Sequence, residues 1–364
     1  SVRPKSPNSS SIRDGRFELR LLLICGQRYS LPLPPKEATM NWNELADRVL
    51  DGHAATFDDA ISVLRSSDDE ILEVLDAAFR VRRAHHGRDV RIHVLQNAKS
   101  GACPEDCSFC SQSTAFDTGV ERYRMQSVDE IVAGARRAYE MRAVKYCIVT
   151  ATRGPSAGEL DTVCEAVRQI KSEMDINICT SLGLLEDGQA EQLAAAGVSR
   201  FNHNLETARR YYPDVCSTHD FEDRIDTVRK AKRAGLEACC GGIMGMGETE
   251  EDRVALALEL RELEVESIPV NFLDPRPGTP LDGVERMSPG ACLRTLCMFR
   301  FVNPTRDIRV AGGREVNLRR MQSLALYPAN SIFVDGYLTT GGQGYDADIQ
   351  MIEDAGFRVA GIVA

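Results

Sequence analysis

The stretch Gly101-Ala102-Cys103-Pro104-Glu105-Asp106-Cys107-Ser108-Phe109-Cys110 places three cysteines within eight residues, just after a short apolar segment. Cysteine thiolates are soft ligands, so a cluster this tight predicts a metal centre before a disulfide. Three ligands are one fewer than a structural zinc site or a closed four-iron cluster uses. Either a fourth cysteine comes from elsewhere, or one metal position stays open for chemistry. Zinc remains the alternative, although zinc sites usually combine two CxxC-like pairs.

Composition limits the classes of function. The chain has 364 residues, of which 43% are hydrophobic and 27% charged, and its net charge is -10. We expect no membrane span, because the longest apolar runs fall well short of about 20 residues. We expect no nucleic-acid partner, because phosphates favour a basic surface. Twelve cysteines indicate a reducing compartment, and we expect a cytoplasmic protein whose thiols bind metal.

Two segments precede the repeating part of the chain. Residues 1–39 are rich in Ser, Pro and Arg, which predicts a disordered tail or an over-long start, with a transit peptide as the less favoured alternative. Residues 40–90 have helical apolar spacing and are predicted to be helices that pack on the main domain. Within them, Ser67-x-x-Glu70 has the pattern of a capping box. His85-His86 is interpreted as an exposed helix end, because adjacent helical residues do not face one another.

Short apolar segments then alternate with longer amphipathic ones through residues 91–360. Alternation of strand and helix indicates a parallel sheet, and eight repeats favour a closed barrel. The predicted fold is therefore α/β, a (β/α)8 TIM-type barrel with an N-terminal helical extension. The predicted strands are Arg91–Gln96, Val144–Thr150, Ile176–Thr180, Ser199–Asn202, Glu237–Gly241, Ser267–Phe272, Ile308–Ala311 and Ser331–Val334.

Functional residues of such barrels lie at the C-terminal ends of the strands, and the cysteines follow this rule. The three clustered cysteines come after the first strand, and Cys147, Cys179 and Cys239 lie in later strands, with Arg309 in the seventh. Core packing explains these strand cysteines about equally well, because cysteine is often buried. The other cysteines show no such order; they are Cys25, Cys164, Cys216, Cys240, Cys292 and Cys297.

The CxxxCxxC spacing, with Phe109 before the last cysteine, resembles the cluster loop of the radical S-adenosylmethionine superfamily. The longer string GACPEDCSFCSQS is similar to that of the biotin synthase family. The resemblance implies that Cys103, Cys107 and Cys110 hold a [4Fe-4S] cluster. It also implies that the fourth iron of this cluster binds S-adenosylmethionine.

The same resemblance implies a second cluster. In the biotin synthase family a [2Fe-2S] cluster lies deep in the barrel, held by three strand cysteines and an arginine. The matching residues are Cys147, Cys179, Cys239 and Arg309. A guanidinium normally stays protonated, so the role of Arg309 as a ligand rests on the resemblance alone, and a charge partner for sulfide or substrate is the alternative.

Further motifs resemble those that bind S-adenosylmethionine and substrate in this family. The segment Gly241–Glu248 resembles an adenine-binding GxIxGxxE motif that contains Ile243, and Phe201–Thr207 resembles YNHNLDT, with Glu206 in place of the usual Asp. The implied cofactor contacts are Phe109, Asn204, Glu206, Arg224 and Ile243. The implied substrate contacts are Asn204, Asn271, Thr339 and Thr340. His203 is interpreted as structural.

The implied activity is insertion of sulfur into dethiobiotin, the last step of biotin biosynthesis, by a sulfurtransferase of the radical S-adenosylmethionine type. A flavodoxin- or ferredoxin-type protein would donate the electron, and the family suggests a homodimer. Two alternatives stay open. Another radical S-adenosylmethionine barrel enzyme would not be expected to carry all four ligands of the second cluster, and a non-enzymatic iron–sulfur or zinc protein predicts a closed four-ligand site.

Overall fold

The computed structural model describes residues 40–360. The predicted tail and Cys25 therefore lie outside the described residues. The helices in the described part are α1 Trp42–Leu50, α2 Phe57–Leu64, α3 Ile71–His86, α4 Val128–Glu140, α5 Ala157–Glu173, α6 Gln189–Ala196, α7 Phe221–Arg233, α8 Glu250–Glu262, α9 Pro289–Val302, α10 Arg314–Leu318 and α11 Tyr345–Asp354. The strands are β1 Asp89–Lys99, β2 Lys145–Thr150, β3 Asn177–Ser181, β4 Arg200–Asn202, β5 Glu237–Cys239, β6 Gly242–Met244, β7 Ser267–Phe272, β8 Asp307–Val310, β9 Ser331–Phe333 and β10 Arg358–Val359.

The strands form a closed parallel barrel. Neighbours follow the order β1-β2-β3-β4-β5-β7-β8-β9, with β6 continuing β5 alongside β7, and pairing of β1 with β9 closes the ring. The strand β10 pairs in parallel with the start of β1. The predicted (β/α)8 barrel is thus confirmed, with helices α4 to α9 following strands in the expected alternation.

Side-chain caps define where the outer helices begin. Ser127, Ser156, Asp220 and Thr249 each accept a hydrogen bond from the backbone three residues on, and the acidic residue at that position bonds back to the cap. These reciprocal bonds satisfy amides that have no partner within the helix. The predicted Ser67-x-x-Glu70 box is also present, where it opens one turn of 3-10 helix ahead of α3.

The N-terminal helices cover one barrel helix. Both α2 and α3 pack on α9, and every residue from Cys292 to Val302 is buried. A barrel helix with only one apolar face would present its other face to water. The sequence of α9 is apolar on nearly all sides because the extension packs on the face that the barrel leaves uncovered.

The predicted fifth strand, Glu237–Gly241, is wrong at its end. The regular pairing stops after Cys239 and resumes at Gly242, although the register with β7 is unchanged. Pro269, opposite the gap, has no N–H to donate to the ladder. The carbonyl of Gly241 instead accepts hydrogen bonds from the amides of Leu205 and Glu206. The break therefore brings the segment after β4 against the end of β5.

The last part of the chain also differs from a regular pattern. Between β8 and β9 the chain forms the short helix α10 and a 3-10 helix, Arg319–Leu326, in place of one long helix. Arg319 adopts φ 54 at the junction, which an α-helix cannot continue through.

Candidate functional site

A cavity of about 310 Å³ opens at the C-terminal ends of the barrel strands. Its lining comes from the loop after β1, from the strand ends around the barrel, and from the segment after β9. Nearly all of the residues singled out from the sequence line it: Cys103, Cys107, Phe109, Cys110, Cys147, Cys179, Asn204, Glu206, Arg224, Ile243, Asn271, Arg309, Thr339 and Thr340. Cys239 is buried beside this set and contacts Arg309.

The cluster loop is held by its own backbone. The amide of Cys110 donates to the carbonyl of Cys107 at 2.9 Å, and the amide of Cys103 donates to the carbonyl of Gln112 at 3.2 Å. Gly101 turns the chain into the loop with φ 70, and a side chain there would collide with Arg122. These bonds use the main chain and none of the three thiols, so one loop presents three soft ligands at the cavity wall.

A second segment, residues 216–219, supports the cluster loop, a role that no motif in the sequence indicated. Asp106 accepts hydrogen bonds from the amides of Ser217 and Thr218 at 2.9 and 3.2 Å. Glu105 accepts one from the Thr218 hydroxyl at 2.7 Å and contacts His219. Cys216, in the same segment, lies 3.7 Å from Cys107, sulfur to sulfur. The two adjacent carboxylates of the CPEDC string could have predicted such a supporting segment, because acidic groups that become buried require hydrogen-bond partners.

Arg224 joins the cluster loop to the segment after β4. Its guanidinium donates to the carbonyl of Asn204 at 2.8 Å, to the Tyr212 hydroxyl at 2.6 Å and to the Cys107 sulfur at 3.9 Å. It also lies 3.6 Å from the Glu206 carboxylate. Burial raises the pKa of the Glu206 carboxyl, against the lowering effect of this guanidinium. Arg224 and Glu206 are therefore in one buried charged group.

Glu206 has a strained backbone. Its φ is 67, a region that residues other than glycine seldom adopt. The strain is held by the main-chain bonds from the amides of Leu205 and Glu206 to Gly241, and by the amide of Ile243, which donates to Glu206 at 2.7 Å. Such strain tends to occur at functional sites. The segment that carries Glu206 is thereby fixed at the cavity wall.

An apolar patch lies beside these polar groups. Phe109 and Ile243 pack against the buried cluster of Val215, Met246 and Leu273. The two residues were predicted from separate motifs, one in the cluster loop and one in β6. Their shared cluster provides a surface on which a flat apolar or aromatic group can lie.

Deeper in the barrel, three cysteines and an arginine meet. Cys147 and Cys179 are directly paired residues of the neighbouring strands β2 and β3. Arg309 donates to the Cys239 sulfur at 3.5 Å. All four residues are buried, with the arginine only 1% exposed. Burial alone would lower the pKa of Arg309, but the neighbouring Cys239 and the carboxylate of Asp307 raise it.

A polar layer beneath Arg309 fixes its position. The guanidinium donates to the Ser267 hydroxyl at 2.9 Å and lies 3.4 Å from the Asp307 carboxylate and 3.3 Å from His93. Asp307 also accepts from Arg200 at 3.4 Å. The Nε of Arg309 is buried and has no hydrogen-bond partner among the described residues. One donor therefore remains available beside the three thiols.

The residues predicted to contact substrate line the same cavity. Asn271 donates to the carbonyl of Gly242 at 3.1 Å and accepts from the amide of Gly312 at 2.8 Å. The side-chain oxygen of Asn204 accepts from the amide of Gly241 at 3.2 Å. Each amide keeps donor and acceptor capacity after these bonds. Thr339 lies 3.4 Å from Ser111 of the cluster loop, hydroxyl to hydroxyl.

The donor sets fit the groups that the sequence resemblance implies. Three thiols on one loop suit a four-iron cluster with one open iron, since its other three irons each take a cysteine. Three buried thiols with an unpaired Arg309 Nε suit a second, anionic iron–sulfur group, because a buried guanidinium donor requires an acceptor.

Comparisons with known proteins show the family of the chain. Residues 98–260 match the Radical SAM superfamily, and residues 269–358 match the Biotin and Thiamin Synthesis associated domain. A biotin synthase of Salinibacter ruber is 60% identical over 317 residues, covering 87% of this chain and 88% of the relative. A biotin synthase of Anoxybacillus flavithermus is 47% identical over 320 residues, covering 88% and 97%.

Solved structures agree on the fold. A methylornithine synthase superposes with a TM-score of 0.77 at 20% identity, covering 87% of this chain and 97% of that one. A FeFe-hydrogenase maturase of Carboxydothermus hydrogenoformans gives 0.74 at 17%, covering 89% and 80%. None of the helices within residues 40–360 is long and apolar enough to span a bilayer.

Proposed function

The chain belongs to the biotin synthase family of radical S-adenosylmethionine enzymes, and from this premise we propose how its residues insert sulfur into dethiobiotin. The enzyme is a sulfurtransferase, and its cofactors are a [4Fe-4S] cluster, a [2Fe-2S] cluster and S-adenosylmethionine. One observation carries the proposal. Cys147, Cys179, Cys239 and Arg309 meet inside a barrel whose rim carries the three-cysteine loop.

We assign Cys103, Cys107 and Cys110 as the ligands of the [4Fe-4S] cluster. When bound, the reduced cluster and S-adenosylmethionine supply a 5′-deoxyadenosyl radical, and the second cluster supplies the sulfur. The chain holds the reacting groups in position and excludes water from them. The support is the cluster loop, whose main chain is hydrogen bonded while its thiols line the cavity.

The cofactor contacts follow from charge and shape. We propose that Arg224 binds the methionine carboxylate, because it is a buried cation beside Cys107. Glu206 accepts from the ribose hydroxyls, and Asn204 contacts both cofactor and substrate. Phe109 and Ile243 bind the adenine, because they share one apolar cluster at the cavity wall.

The substrate contacts combine amides and hydroxyls. We propose that Asn271 and Asn204 bind the cyclic urea of dethiobiotin, since an amide matches its donors and acceptors. Both amides are hydrogen bonded to the backbone of the Gly241–Gly242 break, so their orientations are fixed. Thr339 and Thr340 bind the substrate carboxylate. Both line the cavity on the side of the segment after β9.

The second cluster is assigned to the deep thiols. Cys147, Cys179 and Cys239 bind its irons, and Arg309 is the fourth ligand. The position of Arg309 is supported by its bonds to Ser267 and Asp307. Depth in the barrel suits the reaction, because a carbon radical must meet sulfur before it meets water.

Anaerobic reconstitution with iron and sulfide, followed by Mössbauer spectroscopy and a dethiobiotin assay, tests the assignment. We expect one [4Fe-4S] and one [2Fe-2S] centre per chain and formation of biotin. Cys107→Ala should abolish cleavage of S-adenosylmethionine, whereas Cys179→Ala should spare the cleavage and lose the sulfur insertion. Biotin formation by either variant would contradict the corresponding ligand assignment.

Partners and compartment are proposed more coarsely. The reaction requires dethiobiotin and a reductant, and we infer a flavodoxin- or ferredoxin-type donor and a homodimer from the family alone. A cytoplasmic location is supported by the thiol ligands, which must stay reduced. Light scattering of the cluster-loaded protein tests the dimer, and a single-chain mass would contradict it.

The division of the chain is also a proposal. We propose residues 1–39 as a dispensable tail, 40–90 as helices that pack on the barrel and 91–360 as the catalytic barrel. The cover that α2 and α3 give α9 supports the second assignment. A chain beginning at Met40 should keep full activity, whereas one beginning at Arg91 should aggregate because α9 would be exposed.

A further inference from the structure

Cys216 and His219 belong to no group that the proposed reaction uses. Both are buried, and they lie in the segment that supports the cluster loop. The Cys216 sulfur is 3.7 Å from the Cys107 sulfur and 3.3 Å from Nδ1 of His219. The ligand atoms of these three residues all lie within 4.8 Å of one another. The pairing of Cys107 with a thiol outside the cluster loop is the feature that calls for an explanation.

Two of the three ligand separations match those of a tetrahedral metal site, and the third, between Cys107 and His219, is within 4.8 Å. Zinc–sulfur bonds of about 2.3 Å and zinc–nitrogen bonds of about 2.0 Å, at tetrahedral angles, separate two sulfurs by about 3.8 Å and a sulfur from a nitrogen by about 3.5 Å. The observed separations, 3.7 and 3.3 Å, differ from these by a few tenths of an ångström at most. Thiolate with imidazole is also the ligand combination that zinc prefers.

The surroundings hold the three ligands in place and offer a fourth. Glu105 is buried and contacts Nδ1 of His219, the same nitrogen that faces Cys216. Its carboxylate is fixed by the Thr218 hydroxyl and by Arg153 at 3.0 Å. Asp106, 3.3 Å from the Cys216 sulfur, fixes the main chain of the segment. Rigid support of this kind distinguishes a built site from a chance cluster.

We propose that in the cluster-free chain Cys107, Cys216 and His219 bind one thiophilic divalent cation, zinc by its ligand preference, with the Glu105 carboxylate as the fourth ligand. Cys107 is shared with the proposed [4Fe-4S] site, so the chain holds either the cation or the cluster there. The cation-bound form keeps Cys107 and Cys216 as thiolates protected by metal, and it must release the cation before the cluster is assembled.

Metal titration of the cluster-free, full-length protein tests the site. Co²⁺ serves as the visible probe, added under anaerobic conditions with a phosphine reductant, and Zn²⁺ then displaces it. We expect one equivalent with tetrahedral d–d bands and a sulfur-to-cobalt charge-transfer band. Cys216→Ala and His219→Ala should each weaken binding at least about tenfold. Cys103→Ala and Cys110→Ala should bind as the unmodified chain does.

The contrary results are equally specific. Loss of the cobalt bands in Cys103→Ala or Cys110→Ala would place the cation on the cluster loop and overturn the proposal, as would undiminished binding by Cys216→Ala. Cys164→Ala, which removes another buried cysteine, is the matched control, and circular dichroism shows whether each variant is folded. If Cys216→Ala fails to fold, Cys216→Ser takes its place.

The sharing of Cys107 between cation and cluster rests on the proposed function, and a competition experiment tests the two separately. Zinc loaded before iron and sulfide should slow formation of the [4Fe-4S] centre in the unmodified chain and not in Cys216→Ala. Equal rates in the two chains would show that cation and cluster do not share Cys107. If the cluster formed at the same rate and was active in both zinc-treated chains, the proposed function would stand and the inferred site would be overturned.

Discussion

Arg224 connects the residues that we propose bind the cofactor. It is buried and bonded at once to Tyr212, to the main chain of Asn204 and to Cys107. Its role was predicted only through the family resemblance, because a helix arginine is ordinarily a surface residue. The sequence could not show that three acceptors from separate segments, Tyr212, Asn204 and Cys107, surround this arginine.

Replacing Arg224 with lysine should weaken binding of S-adenosylmethionine by about tenfold or more. A lysine carries the charge but not the planar fork, so it cannot keep all three contacts. One lost charged hydrogen bond costs about 1.5–3 kcal/mol, which gives this factor. Equilibrium binding to the cluster-loaded protein measures the change. The control is Arg229→Lys, an exposed position on the same helix α7. Equal affinity in both variants would contradict the assignment.

At the scale of elements, the eight strands were predictable and the break between β5 and β6 was not. Alternating apolar and amphipathic segments indicate strand and helix from local pattern alone. The break depends on Pro269, which lies in β7 and is remote in sequence from Gly241. A side chain on Gly241 would come within 1.9 Å of the Pro269 carbonyl oxygen, so these backbones touch. Contacts of this kind between distant segments leave no periodic signal.

Gly241→Ala should therefore destabilise the barrel. The added methyl group would meet backbone that cannot move aside, an overpacking that costs about 3 kcal/mol. Urea unfolding measures the loss. Gly158→Ala is the matched control, because that glycine lies in α5 with open space around it, and it should be neutral or stabilising by up to about 1 kcal/mol. A similar stability for the two variants would contradict the contact.

The start of α2 should show a pH-dependent stability. Burial alone would raise the pKa of Asp59, but the amide of Thr56 and the side chains of Arg48 and His53 hold it well below its usual value. A lowered folded-state pKa contributes stability above the unfolded value of about 3.9 and loses it as the pH falls. Asp59→Asn should lower the free energy of unfolding by about 1–2 kcal/mol at pH 7.

The stability measured at acidic pH tests whether the charge of Asp59 causes this effect. Urea unfolding between pH 7 and pH 3 should show the difference between the unmodified chain and Asp59→Asn shrinking below about pH 4, where the carboxyl of the unfolded chain becomes protonated. Asp58→Asn is the control, since Asp58 is exposed on the same turn. A constant difference across this range would show that charge is not the cause.

For the molecule as a whole, the sequence predicted which residues would meet but not how each is supported. The cluster cysteines, Arg309 and both asparagines were assigned from motifs, and the barrel brings them to one cavity. The supporting partners were missed, among them Asp307, Cys216 and His219. Cys216 and His219 contact Cys107 and Glu105, which lie in a loop remote in sequence, and Asp307 of β8 contacts Arg200 of β4 as well as its strand neighbour Arg309. Only the closed barrel brings these separate segments together.

Because the proposed ligands lie on strands around the barrel, we predict that cluster loading stabilises the entire barrel. The proposed ligands of the second cluster belong to β2, β3, β5 and β8, so a bound cluster cross-links strands around the ring. A group that binds only the folded chain raises its stability. Thermal unfolding of loaded and chelator-stripped protein should differ by about 5 °C or more. Cys179→Ala should keep only part of this difference, whereas Cys164→Ala, in α5, should keep all of it. If both variants kept the full difference, the stabilisation would come from the rim cluster alone, and the deep ligand set would be contradicted.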